Sequence, residues 1–419
     1  MRYVLSVSVL LVLLGAGCVP SSSISNINIS QQYQLQPSEV LEASVKAYNI
    51  SEQKTRCYFK ILGDGIEQVE DDQGQSTASL SIRYKVYENH SSVHALDSGM
   101  KVLKSIPLAR HAFVFDSVDV TSKVGRKLIA DLTIKDLNSK RVWRRQISIN
   151  RSSAFSSEDA MLFEKNGRMM YESLISNLDT FYLKSKVDEP LLVKYYNRDF
   201  PISSPPFVAV APRPFDFTPD GIWEITKQGG KHMLIVDRPG LYLIVQSNAD
   251  RTGASFVHFS PSYPVPKTVM DLMLPMRYIT TKEEFDALNS GQTLKKAVDA
   301  HWLEVGGNVA RAKKLIRAYY ERVEKSNSVF ASYMEGWKTD RGMCFIIFGE
   351  PTIVKRTSST EVWVYGQEGQ FNALRLTFTK VNNPFTNNDY RLNRMPSLKS
   401  SWYRSVEYWR QGRVLTYQK

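Results

Sequence analysis

Residues 333–351 read YMEGWKTDRGMCFIIFGEP and join a Gly-Trp-x-Thr-Asp-Arg-Gly turn to an unbroken apolar run. Gly336 and Gly342 permit backbone angles that are closed to other residues. Thr339 and Asp340 carry side-chain oxygens that accept hydrogen bonds from turn amides. This composition predicts a tight turn that leads directly into a buried element.

Two larger side chains complete the turn. Trp337 offers a large apolar surface that locks the turn onto a core. Arg341 presents a planar fork of donors, and a carboxylate such as Glu335 or Glu350 is its expected partner. Each polar residue of the motif therefore has a structural task within the turn.

The residues that follow predict a small antiparallel sheet. The run at 343–348 lacks alternation and indicates a buried strand, which Gly349, Glu350 and Pro351 end with a turn. Further strands are expected at 361–366, 374–378 and 389–392. Trp402, Val406 and Trp409 recur at helical spacing and predict a closing helix. The expected outcome is an α+β module.

From about residue 294 to residue 409 the chain resembles the GWxTD-domain family of bacterial lipoproteins, which are Bacteroidota-type envelope proteins. The motif residues that carry the resemblance are Gly336, Trp337, Thr339, Asp340, Arg341, Gly342, Gly349 and Pro351. The resemblance implies an envelope location but no particular reaction. The motif is therefore interpreted as structural or binding, and no catalytic residue is assigned.

The first eighteen residues predict a lipoprotein signal. Arg2 gives a short positive region, residues 4–14 form an apolar stretch, and small residues precede Cys18. Cleavage there would leave Cys18 as a lipidated N-terminus carrying palmitate-type acyl chains, and two or more chains anchor stably. The alternative is an ordinary secretory leader with an incidental cysteine.

By resemblance to lipoprotein sorting rules, Val19 favours the outer membrane over the inner one, and the uncharged residues 19–38 favour the periplasmic face. Rich in Ser, Asn and Gln, residues 19–38 are interpreted as a flexible tether. No later stretch has an apolar run long enough for a membrane-spanning helix.

The rest of the chain predicts an α+β multidomain protein. Period-two alternation at 81–87, 128–134 and 142–149 indicates a β-sandwich-like domain over 39–150. Residues 151–189 are expected to be a linker with one helix, and 190–275 a second β-rich, sandwich-like domain. The GWxTD domain is predicted at 276–419, with helices at 281–330 and an α+β core at 331–419.

Charge and composition limit the partners. The formal net charge of +12 favours acidic surfaces, but a secreted chain without a zinc-finger or RNP pattern is not expected to bind nucleic acid. The three cysteines and six histidines show no metal-ligand spacing, so neither a metal nor another cofactor is predicted. Cys57 and Cys344 are expected to be buried thiols, with a disulfide between them left open.

Three functions compete. A non-catalytic accessory or scaffold subunit of an envelope assembly or secretion machine, bound to a β-barrel or secretion complex, is the favoured interpretation. The alternative is glycan or peptidoglycan binding through exposed aromatics among Trp337, Trp363, Tyr365, Trp402 and Trp409. A glycan-processing enzyme that uses carboxylates among Glu335, Asp340 and Glu350 is the least favoured.

Overall fold

The computed structural model describes residues 23–35, 41–70, 74–109, 111–209, 211, 214–290, 293–371 and 373–414. The predicted signal sequence and Cys18 lie outside the described residues. Within the described part of the chain, no helix combines the length and apolarity needed to cross a membrane. The predicted class is confirmed: two β-sandwich-like domains precede helices and a C-terminal α+β unit with a small antiparallel sheet.

The first domain is a sandwich of two antiparallel sheets. A three-stranded sheet has the order β1-β2-β6, and a five-stranded sheet has the order β3-β4-β7-β8 with β5 paired to β4. In β2, Cys57, Phe59 and Ile61 face the shared core while the residues between them are partly exposed. The strands are β1 (Ala43–Asn49), β2 (Lys54–Leu62), β3 (Gln68–Glu70), β4 (Ser76–Tyr87), β5 (Asp97–Pro107), β6 (Phe113–Thr121), β7 (Lys127–Asp136) and β8 (Val142–Asn150).

The second domain also contains two antiparallel sheets, with the orders β13-β14-β10-β9 and β12-β11-β15-β16. Their facing sides share one hydrophobic core, which includes Phe181, Val193, Leu234 and Tyr242. The strands are β9 (Ala160–Glu164), β10 (Asp179–Ser185), β11 (Leu191–Tyr196), β12 (Gly221–Ile225), β13 (Lys227–Gln228), β14 (Lys231–Val236), β15 (Gly240–Val245) and β16 (Ala254–His258).

The linker predicted at 151–189 is corrected by this topology. Strands β9 and β10 lie within it and pair with each other, so the second sandwich begins well before residue 190. Apart from one 3-10 turn at Ser157–Asp159, no helix forms there, because Leu162, Phe181 and Leu183 enter the sandwich core at strand spacing. Tertiary packing has overridden the weak helical periodicity of this stretch.

The C-terminal unit packs helices against one four-stranded antiparallel sheet, ordered β17-β18-β19-β20. Asn308 caps the longest helix by accepting a hydrogen bond from Arg311 N–H. The elements are α1 (Val269–Met273), α2 (Lys282–Ser290), α3 (Leu294–Gly306), α4 (Val309–Phe330), α5 (Asp340–Phe348), β17 (Ile353–Arg356), β18 (Thr360–Tyr365), β19 (Leu374–Lys380), β20 (Tyr390–Leu392) and α6 (Lys399–Arg410).

The predicted strand at 343–348 is wrong, because these residues form most of helix α5. A continuous apolar run does not distinguish a buried strand from a buried helix. Thr339 decides between them, since its Oγ1 accepts a hydrogen bond from Gly342 N–H at 3.0 Å and caps a helix. All nine residues of α5 are buried, which explains the absence of an amphipathic pattern.

The flexible tether predicted at 19–38 is also corrected over its described part. Residues 23–35 contain two 3-10 turns, Ile24–Asn26 and Ser30–Tyr33, and bury Ile29 and Tyr33 in the core of the C-terminal unit. Ile29 N–H donates to Val354 O at 2.9 Å on the edge strand β17. The side chains of Ile24, Ile29 and Tyr33 are buried, which the polar composition of the stretch did not suggest.

Candidate functional site

The motif turn is held by very close backbone contacts. A Cβ on Gly342 would lie 1.9 Å from Gly336 O, and a Cβ on Gly336 would lie 2.0 Å from Ser326 O. Thr339 Oγ1 donates to Gly336 O at 2.7 Å while it caps α5. Only glycine fits at positions 336 and 342, for reasons of space rather than of backbone angle.

Trp337 anchors this turn to the helices around it. Its ring is buried. Its backbone N–H donates to Asn327 Oδ1 at 3.1 Å, and its backbone carbonyl accepts from Tyr278 Oη at 2.9 Å. Tyr263 Oη donates to Asn327 O at 2.8 Å and accepts from Gly336 N–H at 3.0 Å. The turn is therefore bound on both its apolar and its polar sides.

Asp340 is fully occupied by structural partners. Arg394 approaches both of its oxygens, at 2.5 and 2.9 Å, in a two-point ion pair. Leu392 N–H donates to Oδ2 at 2.7 Å and Ser203 Oγ donates to Oδ1 at 2.8 Å. The carboxylate thus joins α5, β20 and the connection between β11 and β12 of the second sandwich.

Arg341 lies in a second buried charge network, centred on Glu361. The expected partners of Arg341 were Glu335 or Glu350, but Nη1 lies 3.4 Å from each oxygen of Glu361 and Nη2 donates to Asn388 O at 2.8 Å. The guanidinium also lies 4.3 Å from the centre of the Tyr390 ring. The partner expected from proximity in sequence was wrong, because β18 packs beside α5 and places the carboxylate of Glu361 next to Arg341.

Glu361 receives several donors besides Arg341. Arg356 Nε donates to Oε2 at 2.7 Å, Trp363 Nε1 donates to Oε1 at 2.8 Å, and Tyr33 Oη donates to Oε1 at 2.9 Å. Burial alone would raise the pKa of Glu361, but Arg356 and Arg341 outweigh burial and lower it from 4.5 to about 2. The carboxylate is therefore charged at neutral pH and holds two guanidiniums together.

Tyr33 connects the N-terminal segment to this network. Its hydroxyl also accepts from Arg356 Nη2 at 2.8 Å, and its ring contacts Phe330 and Trp363. Burial has the largest effect and raises the pKa of the Tyr33 hydroxyl. The charge of Arg356 lowers this pKa by a smaller amount, and the charge of Glu361 raises it. Tyr33 is neutral and serves as a hydrogen-bond bridge between two charges.

The C-terminal end of α5 is closed by Gly349 and a buried arginine. Gly349 has φ of 82°, and a Cβ there would lie 2.8 Å from Arg322 Nη2. Arg322 Nη1 donates to Ile346 O at 3.0 Å and so satisfies a carbonyl of the last helical turn. Pro351 is buried directly beyond this turn.

The three carboxylates considered for catalysis have separate partners. Glu335 pairs with Lys338 at 2.6 Å, Glu350 accepts from Leu35 N–H at 2.7 Å, and Asp340 is held by Arg394. Each therefore stabilises a different part of the fold. Within the described ranges, no group of three or more His, Cys, Asp or Glu residues is arranged to hold a metal ion.

The comparison with known families identifies this region. A family model described as the GWxTD domain matches residues 240–411. Residues 240–411 are a GWxTD domain. The match begins inside the second sandwich rather than at the predicted residue 276. The outward faces of β15 and β16 form a cluster with Phe385, so the matched region includes the strands of the second sandwich against which the C-terminal unit packs.

The comparisons with solved structures and with curated proteins provide no further evidence on fold or function. A calcium-binding mutant of Bacteroides uniformis beta-glucuronidase 2 has 11% identity and a TM-score of 0.19; the match covers 36% of this chain and 16% of that one. The chain thus spans about a sixth of that enzyme's length, and so low a score has no bearing on fold or activity here. No curated protein matches the chain.

The five aromatic rings proposed for glycan stacking lie inside the GWxTD domain. Trp337, Trp363, Tyr365, Trp402 and Trp409 are all buried in its core. An exposed ring instead occurs at Phe217, which lines a groove beside the β12-β11-β15-β16 sheet of the second sandwich. That groove also contains Lys194, Tyr196 and Arg251. Any glycan site would therefore lie outside the motif.

Several residues that build the GWxTD core were not predicted from the sequence. Glu361 had a usable signal, because it shares the face of β18 with Trp363 and Tyr365 at period two. Arg394 and Asn388 lie in irregular segments and had none. The thiols of Cys57 and Cys344 are free, and they are buried in different hydrophobic cores.

Proposed function

We propose that this protein is an outer-membrane-anchored, periplasm-facing lipoprotein that acts as a non-catalytic accessory or scaffold subunit of an envelope assembly or secretion machine. The observation that carries the proposal is the attachment of residues 23–35 to the GWxTD core through Tyr33. A lipid at Cys18 would then be joined to a rigid body rather than to a free tether.

The expected reach of the anchor supports a scaffold. Five peptide units join Cys18 to Ser23, and at about 3.3 Å each they extend at most roughly 17 Å. A tether as far as residue 38 would extend roughly 66 Å by the same measure. The short connection favours a body held close to the membrane, where it presents fixed surfaces to a neighbouring protein.

The chemistry of the motif also supports a structural role rather than turnover. Asp340, Arg341 and Thr339 each have partners within the fold at hydrogen-bond distance. A catalytic carboxylate requires access to substrate and a pKa suited to proton transfer. Asp340 is buried and held at both oxygens, so the motif is better suited to setting the shape of the domain.

Affinity isolation tests the proposal. A tagged chain is recovered from gently solubilised outer membranes, beside a Cys18→Ala variant that lacks the lipid attachment site. We expect a stoichiometric envelope protein with the unaltered chain and loss of membrane association with the variant. Two results would count against the proposal. One is a mature N-terminus that mass spectrometry shows to be unmodified, and the other is the recovery of no envelope protein.

Glycan binding remains the alternative, and the groove at Phe217 is the observation that favours it. An aromatic ring beside a cation suits sugar stacking with a charged substituent. Sedimentation with purified peptidoglycan distinguishes the two functions. Binding that Phe217→Ala abolishes would support the alternative, whereas no sedimentation of the unaltered chain would remove it.

A further inference from the structure

The start of helix α4 forms a rigid, exposed corner with the end of α3. Gly307 has φ of 70° and ends α3, and Asn308 caps α4 immediately afterwards. A Cβ on Gly306 would lie 2.7 Å from Ala312 N, so the two helices touch at this point. Arg311 Nη2 donates to Gly412 O at 3.2 Å, which adds the end of α6.

Exposed cations and aliphatic side chains occupy this corner together. We define the basic corner as Leu303, Val309, Lys313, Lys314, Arg317 and Arg413, all of which are exposed. Val309 is 58% exposed and Leu303 44%. Lys313 and Lys314 lie four and three residues before Arg317, so the three side chains share one face of α4.

The cations of the basic corner have no acidic partners. In the described part of the chain, none of Lys313, Lys314, Arg317 and Arg413 makes an ion pair, although Arg413 lies over the Tyr408 ring at 4.3 Å. Cations nearby are paired: Arg410 with Glu284 and Lys295 with Asp299. From Asn308 to Tyr320 the sequence contains no acidic residue.

We propose that the basic corner docks on the surface of a bilayer containing anionic phospholipids. Phosphate headgroups supply the counter-charges that the cations of the basic corner do not have within the fold. The aliphatic side chains reach the boundary of the acyl region. The positive end of the α4 dipole at Val309 adds to the attraction. A protein partner with an acidic surface is the competing occupant.

One feature favours a bilayer over an acidic protein. The aliphatic side chains Leu303 and Val309 flank the cations instead of forming an apolar centre with a polar rim, which protein interfaces usually have. The inference does not depend on lipidation of Cys18.

Vesicle sedimentation tests the docking. The chain from residue 19 onward, which carries no acyl group, is mixed with vesicles of phosphatidylcholine alone or with added phosphatidylglycerol. We expect binding only to the anionic vesicles and its loss as salt rises. At about 1 kcal/mol per cation, combined Lys313→Glu, Lys314→Glu and Arg317→Glu should weaken binding on the order of a hundredfold.

A matched control is available in the first sandwich. Lys85, Lys104 and Lys123 are exposed there, and reversing them changes the net charge equally while leaving the basic corner intact. We expect the control variant to keep most of its binding. Equal losses in both variants, or equal binding to both kinds of vesicle, would overturn the proposal.

Two further arms identify the partner. Inorganic phosphate should release the protein no better than chloride at equal ionic strength, because the site is a surface and not a pocket for one phosphate. Replacement of Val309 and Leu303 by Ser should weaken vesicle binding without altering the melting temperature. No vesicle binding, together with an isolated envelope protein whose recovery needs Lys313 and Arg317, would assign the corner to a protein and still leave the scaffold function standing.

Discussion

Glu361 is a fully buried carboxylate in β18 that accepts hydrogen bonds from Tyr33, Arg356 and Trp363. Glu361→Gln keeps the shape of the side chain but leaves two buried guanidiniums without their counter-charge. We expect the free energy of unfolding to fall by about 3–5 kcal/mol. Urea titration measures the loss.

A matched control for this variant is Glu368→Gln. Glu368 pairs with Lys355 at the surface, and removal of an exposed pair should cost less than about 1 kcal/mol. If the two variants lose the same stability, the buried network is not what holds the GWxTD core.

The pKa of Glu361 predicts a pH dependence of stability. Because its pKa is lowered from 4.5 to about 2 by folding, the unfolded chain binds a proton over a range in which the folded chain does not. The stabilisation is therefore complete above pH 4.5 and is lost as pH falls from 4.5 to about 2. We expect the stability gap between the unaltered chain and Glu361→Gln to narrow over that window. A gap that stays constant in acid denaturation curves would show that the charge is unimportant.

At this scale the sequence allowed only part of the site to be predicted. The capping task of Thr339 could be anticipated because it depends on local backbone geometry. Gly336 and Gly342 are required for space and not for the backbone angles expected from the sequence, and the atom that Gly336 approaches belongs to α4. The partner of Arg341 could not, since β18 and α5 meet only after the sheet has formed. Tyr33 lies 328 residues from Glu361 in the chain, and no local pattern indicates such a contact.

Helix α5 depends on a close backbone contact with the turn that precedes it. Gly342→Ala would place a Cβ 1.9 Å from Gly336 O, and the obstructing atom is backbone that moves only with the whole turn. We expect a severe loss of stability, of at least about 3 kcal/mol. Gly65→Ala is the control, because its nearest contact is a side-chain carbon at 3.9 Å. A melting temperature of Gly342→Ala close to that of the control would contradict the close-contact argument.

The N-terminal segment is an element whose attachment can be measured directly. Tyr33→Phe removes the hydroxyl between Arg356 and Glu361 and should cost about 1–3 kcal/mol, because buried hydrogen-bonding groups lose a partner. We expect residues 23–35 to exchange amide hydrogens faster than in the unaltered chain. Tyr403→Phe alters an exposed ring and should leave their exchange unchanged. Slow exchange in both variants would mean that the hydroxyl does not hold the segment.

The types of the secondary-structure elements were predictable where the hydrophobic periodicity is strong and tertiary contacts do not override it. Strands β4, β7 and β8 contain the alternating sequence stretches 81–87, 128–134 and 142–149, and α4 shows one apolar face. Helix α5 and residues 23–35 fail for opposite reasons. The first is buried on every side, so it has no periodicity; the second is polar in composition, yet it is ordered by a few deep contacts.

At the scale of the whole molecule, each junction between domains is specifically bonded. Arg151 joins the first sandwich to the chain that leaves it, and its Nη2 donates to Ser51 O at 2.8 Å. Asn49 Nδ2 donates to Asp159 Oδ1 at 2.8 Å across the same junction. The domain order was predictable from composition and patterning, but these junctions were not, because polar residues in connecting segments resemble solvated loops.

The junction between the second sandwich and the GWxTD domain is aromatic and is the place to test rigidity. Phe385 is buried there, and its ring contacts four others, from Tyr196, Phe215, Phe217 and Tyr333. Phe385→Ala removes the ring that all of these share, so we expect a loss of about 3–5 kcal/mol and a larger radius of gyration in X-ray scattering. Phe371→Ala removes a fully exposed ring and should change neither. If Phe385→Ala loses stability but keeps its radius of gyration, the cluster stabilises the GWxTD domain without fixing the arrangement of domains that a scaffold requires.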